Sequence, residues 1–66
     1  MKYTDFTRPE CEYFRRECNF TDEERAVFDL RTSARSIIQI ATSLHMSEAT
    51  VYRRLRSIKR KILKVL

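Results

Sequence analysis

Glycine is absent from this 66-residue sequence, and proline occurs once. Every turn that needs an unusual backbone conformation must therefore use alanine, serine, asparagine or histidine where glycine is the usual choice. The chain also lacks a linker, an internal repeat and a run of apolar residues long enough to span a bilayer. Met1 to Phe20 alternates charges with aromatics, unlike a signal peptide. We therefore expect a cytoplasmic protein without a membrane segment.

Cysteine and histidine are too scarce to indicate a metal site. Cys11 and Cys18 lie on one face of a predicted helix, roughly 10 Å apart along its axis, so they cannot form a disulfide within that helix. Zinc usually takes four ligands, and the only other soft candidate is His45. We expect both cysteines to fill the core, His45 to serve a turn, and no cofactor to be needed. No side chain that could act as a nucleophile has a positioned base, so we expect no enzyme.

Negative charge is scarce in the second half of the chain. The formal net charge is +5, but residues 1–34 carry six Lys or Arg against eight Asp or Glu, whereas residues 35–66 carry eight against one, Glu48. A patch of this kind is typical of proteins that contact phosphates. A lone basic helix is also commonly just a solvated face, so charge alone leaves both interpretations open.

Capping residues predict where four helices begin. A capping box pairs a Ser or Thr with a Glu or Gln three residues later, and each bonds the other's backbone N–H. Three such boxes occur: Thr7 with Glu10, Thr21 with Glu24, and Ser36 with Gln39. Ser47 is a fourth N-cap. The sequence therefore predicts one all-α, four-helix domain over 1–66, with an accessory helix over 7–18, a helix over 21–31, and two more over 36–44 and 47–66.

Apolar residues recur at helical spacing in each predicted helix and define the expected core. They are Cys11, Phe14 and Cys18; Val27, Phe28 and Leu30; Ile37, Ile40, Ala41 and Leu44; and Val51, Leu55, Ile58, Ile62 and either Val65 or Leu66. In the fourth helix, the side opposite this stripe holds Ala49, Arg53, Arg56 and Arg60. One face is thus predicted to pack and the other to be presented to solvent.

Motifs in the last two thirds of the chain resemble a family of DNA-binding proteins. FTDEERAVFDLR (Phe20 to Arg31), followed by SIIQIATSLHMSEATVYRRLRSIKRKI (Ser36 to Ile62), resembles region 4 of bacterial sigma factors and the helix-turn-helix of LuxR-type regulators. The resemblance implies a tri-helical helix-turn-helix to which the first helix is added. It implies a stand-alone bacterial or phage-derived domain, because 66 residues leave no room for the promoter-melting domain of a sigma factor.

The sequence departs from this family at two positions where glycine is usual, Ala34 and His45. Histidine tolerates a positive φ better than β-branched residues do, so we expect the turn at His45 still to form.

The resemblance also implies which residues contact DNA. The residues expected to read bases are Glu48, Ala49, Thr50, Tyr52 and Arg53, and those expected to contact phosphates are Arg35, Ser36, Ser47, Arg54, Arg56 and Arg60. Arg53 is the best base reader, since a guanidinium can bond guanine O6 and N7 together. Arg54 lies near the edge of the packed stripe, where a long side chain suits a phosphate contact.

Two of these residues, and Tyr13 outside the set, have alternative roles. Glu48 either accepts from a cytosine amino group or only complements the helix dipole. Tyr52 either contacts DNA or covers the rim of the core. Tyr13, on the first helix, is either ordinary surface or part of a dimer contact.

Two functions follow as hypotheses. The first is a transcriptional regulator that binds double-stranded DNA through residues 47–60 in the major groove. The alternative is a protein-interaction module that docks RNA polymerase or a regulatory partner through Tyr13, Arg15, Arg16, Glu23 and Asp29. Leu63 lies about 120° from the buried stripe. A homodimer through Leu63, Leu66 and either Tyr13 or Tyr3 is therefore a further hypothesis, and its alternative is a frayed, exposed C-terminal turn.

Overall fold

The computed structural model describes residues 2–66, and four α-helices account for most of them. They are α1 (Arg8–Glu17), α2 (Asp22–Thr32), α3 (Ile37–Leu44) and α4 (Glu48–Val65), preceded by one 3₁₀ turn, Tyr3–Asp5. No strand occurs in this range, so the predicted all-α, four-helix fold is confirmed. Three predicted helix ends were wrong by one residue, because Cys18 and Leu66 lie just outside α1 and α4 while Thr32 continues α2.

Each helix begins at its predicted cap. All three capping boxes form, with side-chain oxygens accepting from backbone N–H groups and the Glu or Gln bonding back: Thr7 with Glu10, Thr21 with Glu24, and Ser36 with Gln39. Ser47 accepts from the backbone N–H of Thr50 at the start of α4. Each cap satisfies N–H groups that have no partner within the helix, which typically stabilises a helix by about 1 kcal/mol.

The turns on either side of α3 each place a residue other than glycine in a left-handed backbone conformation. Ala34 has φ 67° and His45 has φ 55°, both in the left-handed region. His45 ends α3, and its N–H donates to the carbonyls of Ala41 and Thr42. A side chain with a Cβ costs roughly 1–2 kcal/mol in this conformation, less for histidine than for most residues. Both turns therefore adopt a backbone conformation that glycine would adopt without this cost.

The core forms where α4 contacts α1, α2 and α3. Six side chains are fully buried: Val27, Phe28, Ile40, Val51, Ile58 and Ile62. Cys11 and Cys18 are buried free thiols, as predicted, and burial raises the pKa of Cys18 against an opposing effect of the Lys61 charge. Some residues of the predicted core are only half-buried and pack against its edge, namely Leu30, Ile37, Leu44, Leu55 and Val65.

An ordered N-terminal segment was not predicted. Its Tyr3 hydroxyl donates to the carbonyl of Leu55 in α4 at 3.0 Å. Phe6 packs against Phe14, with ring centroids 5.0 Å apart, and against Phe28. The segment therefore belongs to the folded domain, and Tyr3 is half-buried and unsuited to the dimer patch proposed for it.

Candidate nucleic-acid interface

The candidate site is the solvent face of α4, which follows α3 after three residues, 45–47. Side chains on one side of α4 pack into the core, so those about 180° away must face solvent. Four of the five predicted base readers are exposed, namely Glu48, Ala49, Tyr52 and Arg53, while Thr50 is half-buried. Tyr52 keeps 58% of its surface exposed, so more than half of its surface is accessible to a partner.

Two cations on the flank of α4 are neutralised by the acidic first turn of α2. Arg54 forms an ion pair with Glu23. Lys61 donates to the carboxylate of Glu24 at 2.5 Å and to the carbonyl of Asn19 at 2.8 Å. Arg54 was predicted to contact phosphate; its Nε bonds Glu23, which offsets its charge, while its other four N–H groups do not bond Glu23.

Glu24 is the one buried charged residue of the described chain, with 4% of its surface exposed. Its carboxylate accepts from Ser57 at 2.5 Å, from Lys61, and from the backbone N–H of Thr21. Burial alone would raise the pKa of Glu24, but the hydrogen bonds from Lys61, Ser57 and Thr21 and the charge of Lys61 lower it to about 2. An ionised carboxylate thus ties the start of α2 to the middle of α4.

The remaining cations of α4 have no carboxylate partner. Seven Lys or Arg lie on this helix, two of them paired as described, and the other five are exposed and form no ion pair within residues 2–66: Arg53, Arg56, Lys59, Arg60 and Lys64. The ion pairs of α4 are therefore confined to the flank that faces α2, and the solvent face of α4 keeps its positive charge. A surface of this kind attracts polyanions.

A chain of hydrogen bonds links three side chains at the start of α4. The hydroxyls of Ser47 and Thr50 lie 2.9 Å apart, and Arg53 Nη2 donates to Thr50 Oγ1 at 3.2 Å. Thr50 was predicted to read a base, but its hydroxyl is already engaged on both sides. The geometry suits a residue that orients the Arg53 guanidinium, and four of the five guanidinium N–H groups remain available to other acceptors.

Two predicted phosphate contacts lie at the start of α3, and a third, Ser47, is the N-cap of α4. Arg35 and Ser36 are exposed, and the Ser36 hydroxyl accepts from Gln39 as the helix cap. The carbonyl of Arg35 accepts from Arg31 Nη1 at 2.7 Å, which leaves the Arg35 side chain unconstrained by that bond. The hydroxyl oxygens of Ser36 and Ser47 thus both accept a hydrogen bond as helix caps. Each hydroxyl can still donate its proton to an anion.

The surface predicted for protein docking is largely occupied by its own ion pairs. Arg15 bonds Asp29 at 2.7 Å, and Arg16 bonds the neighbouring Glu17 at 3.1 Å. Tyr13 is partly exposed, and its hydroxyl donates to the carbonyl of Val65 at 3.4 Å. A different apolar feature was missed, because Ile38 of α3 is 64% exposed beside a groove of about 420 Å³. Its position outside the apolar stripe of α3 is the signal that could have identified it.

Comparisons with protein-family models, curated proteins and solved structures found no match to this chain. Within residues 2–66, no helix has the length and apolar character needed to cross a membrane. The same residues contain no cluster of three or more His, Cys, Asp or Glu placed to hold a metal ion.

Proposed function

We propose that this protein binds double-stranded DNA sequence-specifically and acts as a transcriptional regulator, with α3 and α4 forming a helix-turn-helix. The observation that carries the proposal is the five cations on the solvent face of α4 that have no carboxylate partner. Phosphates of DNA are the acceptors that such a face fits best. The resemblance of Phe20–Arg31 and Ser36–Ile62 to sigma region 4 supports the same function.

Residues at the start of α4 would read the bases. Arg53 is exposed, and Thr50 orients its guanidinium, an arrangement suited to the O6 and N7 atoms of guanine. Glu48 and Ala49 are exposed in the first turn of the same helix and would lie against neighbouring base pairs. Tyr52 is also exposed and directly precedes Arg53 on α4.

Residues farther along α4 and at the start of α3 would set the register on the duplex. Arg56 and Arg60 face solvent on the same side of α4 as Arg53, and Arg35 precedes the cap of α3. Contacts of this kind go to phosphate oxygens and carry no sequence information themselves.

The first experiment is selection of bound sequences from a pool of random duplexes, followed by fluorescence-anisotropy titrations of the selected duplex at several salt concentrations. We expect an enriched motif and an affinity that falls steeply with salt, with a slope near 0.9 for each phosphate contacted. An unenriched pool together with a flat salt titration would show that this face does not bind DNA.

Two substitutions separate base reading from phosphate contact. Arg53→Ala should cost about 1–3 kcal/mol on the selected duplex and much less on a scrambled one. Arg60→Ala should weaken binding to both duplexes alike, since phosphates are the same in every sequence. Equal losses on the two duplexes for Arg53→Ala would show that Arg53 is not a base reader.

A second candidate function is protein docking, which the exposed Ile38 beside Leu30 favours. In this proposal the groove on the outer side of α3 receives an apolar side chain of RNA polymerase or of a regulatory partner. Binding of purified bacterial RNA polymerase, and its loss on Ile38→Ser with DNA binding unchanged, is the expected result. No binding by the wild-type protein would remove this candidate.

A further inference from the structure

A second cationic feature lies outside the predicted site, in a cleft of about 470 Å³ between the N-terminal turn and the start of α4. Lys2 and Arg31 line the cleft together with Tyr52, and its walls include Tyr3 and Leu55. The lining contains no Asp or Glu. The cleft therefore offers an ammonium, a guanidinium and a phenol to one occupant, and all three groups can donate hydrogen bonds.

The wall that carries Lys2 is held in place by the core. The adjacent Tyr3 donates its hydroxyl to the carbonyl of Leu55 at 3.0 Å. Arg31 lines the same cleft as Tyr3; burial raises the pKa of Tyr3, and the charge of Arg31 opposes that rise. Arg31 itself is fixed by its bond to the Arg35 carbonyl at 2.7 Å. Tyr3 and Arg31 are thus both held by hydrogen bonds to the folded chain, which limits the entropy that these two side chains would lose on binding.

Lys2 and Arg31 belong to the half of the chain whose net charge is negative. Arg15 and Arg16 of that half form ion pairs with Asp29 and Glu17, whereas Lys2 and Arg31, like Arg8 and Arg25, form no ion pair within the described residues. The fold brings these two unpaired cations next to Tyr52 on α4. Positive charge thereby extends from the α4 face toward the N-terminal turn.

We propose that this cleft binds a phosphate group, and that in the complex the occupant is a backbone phosphate of the DNA beside the start of α4. The identity of the occupant as a DNA phosphate rests on the proposed function. Because Tyr52 belongs both to the cleft and to the exposed face of α4, its hydroxyl contacts this phosphate instead of a base. The N-terminal turn would then contact DNA, although it lies outside the segments that resemble sigma region 4.

The test compares Lys2→Gln and Tyr52→Phe with the control Arg8→Gln. Lys2 and Arg8 are both exposed, and each substitution removes one positive charge, but Arg8 does not line the cleft. We expect Lys2→Gln to reduce the salt slope by about 0.9, the value for one phosphate contact, and Arg8→Gln to leave it unchanged. Tyr52→Phe should weaken binding to the selected and the scrambled duplex by the same factor. Equal slopes for Lys2→Gln and Arg8→Gln would overturn the proposal.

A titration of the protein alone with inorganic phosphate separates the cleft from the proposed function. Amide resonances are followed by two-dimensional NMR, with sodium chloride at matched ionic strength as the reference. Saturable shifts at Tyr3 and Tyr52 that disappear in Lys2→Gln are expected if the cleft binds phosphate, whether or not the protein binds DNA. If the wild-type protein binds no duplex, the phosphate titration is the remaining test of the cleft. The absence of saturable shifts at Tyr3 and Tyr52 would then overturn the cleft proposal.

Discussion

Replacing Glu24 tests how α4 is held against the rest of the domain. The Glu24 carboxylate is buried and accepts from Ser57 and Lys61 of α4 while closing the capping box with Thr21. Glu24→Gln retains the shape of the side chain and a residue suited to the box, because glutamine also occurs at this capping position. The substitution removes the negative charge that Lys61 faces and places amide hydrogens where the carboxylate accepted.

The size of the effect follows from the pKa of Glu24, which the hydrogen bonds and the Lys61 charge lower from 4.5 to about 2 despite the opposing effect of burial. Each pKa unit corresponds to about 1.4 kcal/mol, so the ionised carboxylate stabilises the folded state by roughly 3 kcal/mol. Because folding lowers this pKa, the contribution is complete above about pH 5 and is lost as the pH falls toward 2.

We expect Glu24→Gln to lower the free energy of unfolding at pH 7 by about 2–3 kcal/mol, measured by urea denaturation with circular dichroism. The matched control is Glu10→Gln, which changes the same position of the capping box of α1. Glu10 is exposed, and beyond the cap itself it forms no hydrogen bond or ion pair within residues 2–66. Its substitution should cost less than about 1 kcal/mol.

The pH dependence of the free energy of unfolding also tests the role of Glu24. The difference in stability between the wild type and Glu24→Gln should shrink between pH 5 and pH 2, because the wild-type carboxylate becomes protonated in that range. Equal losses for Glu24→Gln and Glu10→Gln at pH 7, or a difference that stays constant down to pH 2, would refute the assigned role of Glu24.

Three further substitutions address the turns, the orientation of Arg53 and assembly. Ala34→Gly should raise the free energy of unfolding by about 0.5–1 kcal/mol, because glycine adopts φ 67° without steric cost, and a loss of stability in urea denaturation would contradict this account. Thr50→Val removes the hydroxyl that Arg53 contacts. Anisotropy titrations should then show about 1 kcal/mol less discrimination between the selected duplex and a duplex altered at the Arg53 base pair, with the salt slope unchanged. A uniform loss of affinity on all duplexes would exclude an orienting role for Thr50. Leu63 is 57% exposed, and if it forms the two-fold contact, sedimentation should show a wild-type dimer and a Leu63→Glu monomer. Monomers for both proteins would remove the dimer hypothesis.

The helices could be predicted from the sequence because their signals are local. A capping box needs only residues three apart, and all three boxes formed where Thr7, Thr21 and Ser36 indicated. The apolar stripe of α4 is likewise set by helical periodicity, and Val51, Ile58 and Ile62 are fully buried. Because the packed face is known, the exposed face of Arg53, Arg56 and Arg60 follows.

Features that depend on contacts between distant residues could not be predicted in this way. Tyr3 and Leu55 are 52 positions apart, and nothing local in the sequence indicates that the N-terminal turn packs on α4. The pairing of Glu24 with Lys61 and of Glu23 with Arg54 likewise depends on how α2 lies along α4. Sequence patterns therefore identified the candidate face, whereas its neutralised flank and the adjoining cleft emerge only from the fold.

The most direct test of the central claim compares two triple variants that lose the same charge from different surfaces. One removes Arg53, Arg56 and Arg60 from α4, and the other removes Arg8, Arg16 and Arg25, which are exposed on α1 and α2. In anisotropy titrations with the selected duplex, we expect the α4 variant to lose about tenfold or more in affinity, while the control loses far less. Equal losses for the two variants, with both shown to be folded by circular dichroism, would contradict DNA recognition by the α4 face.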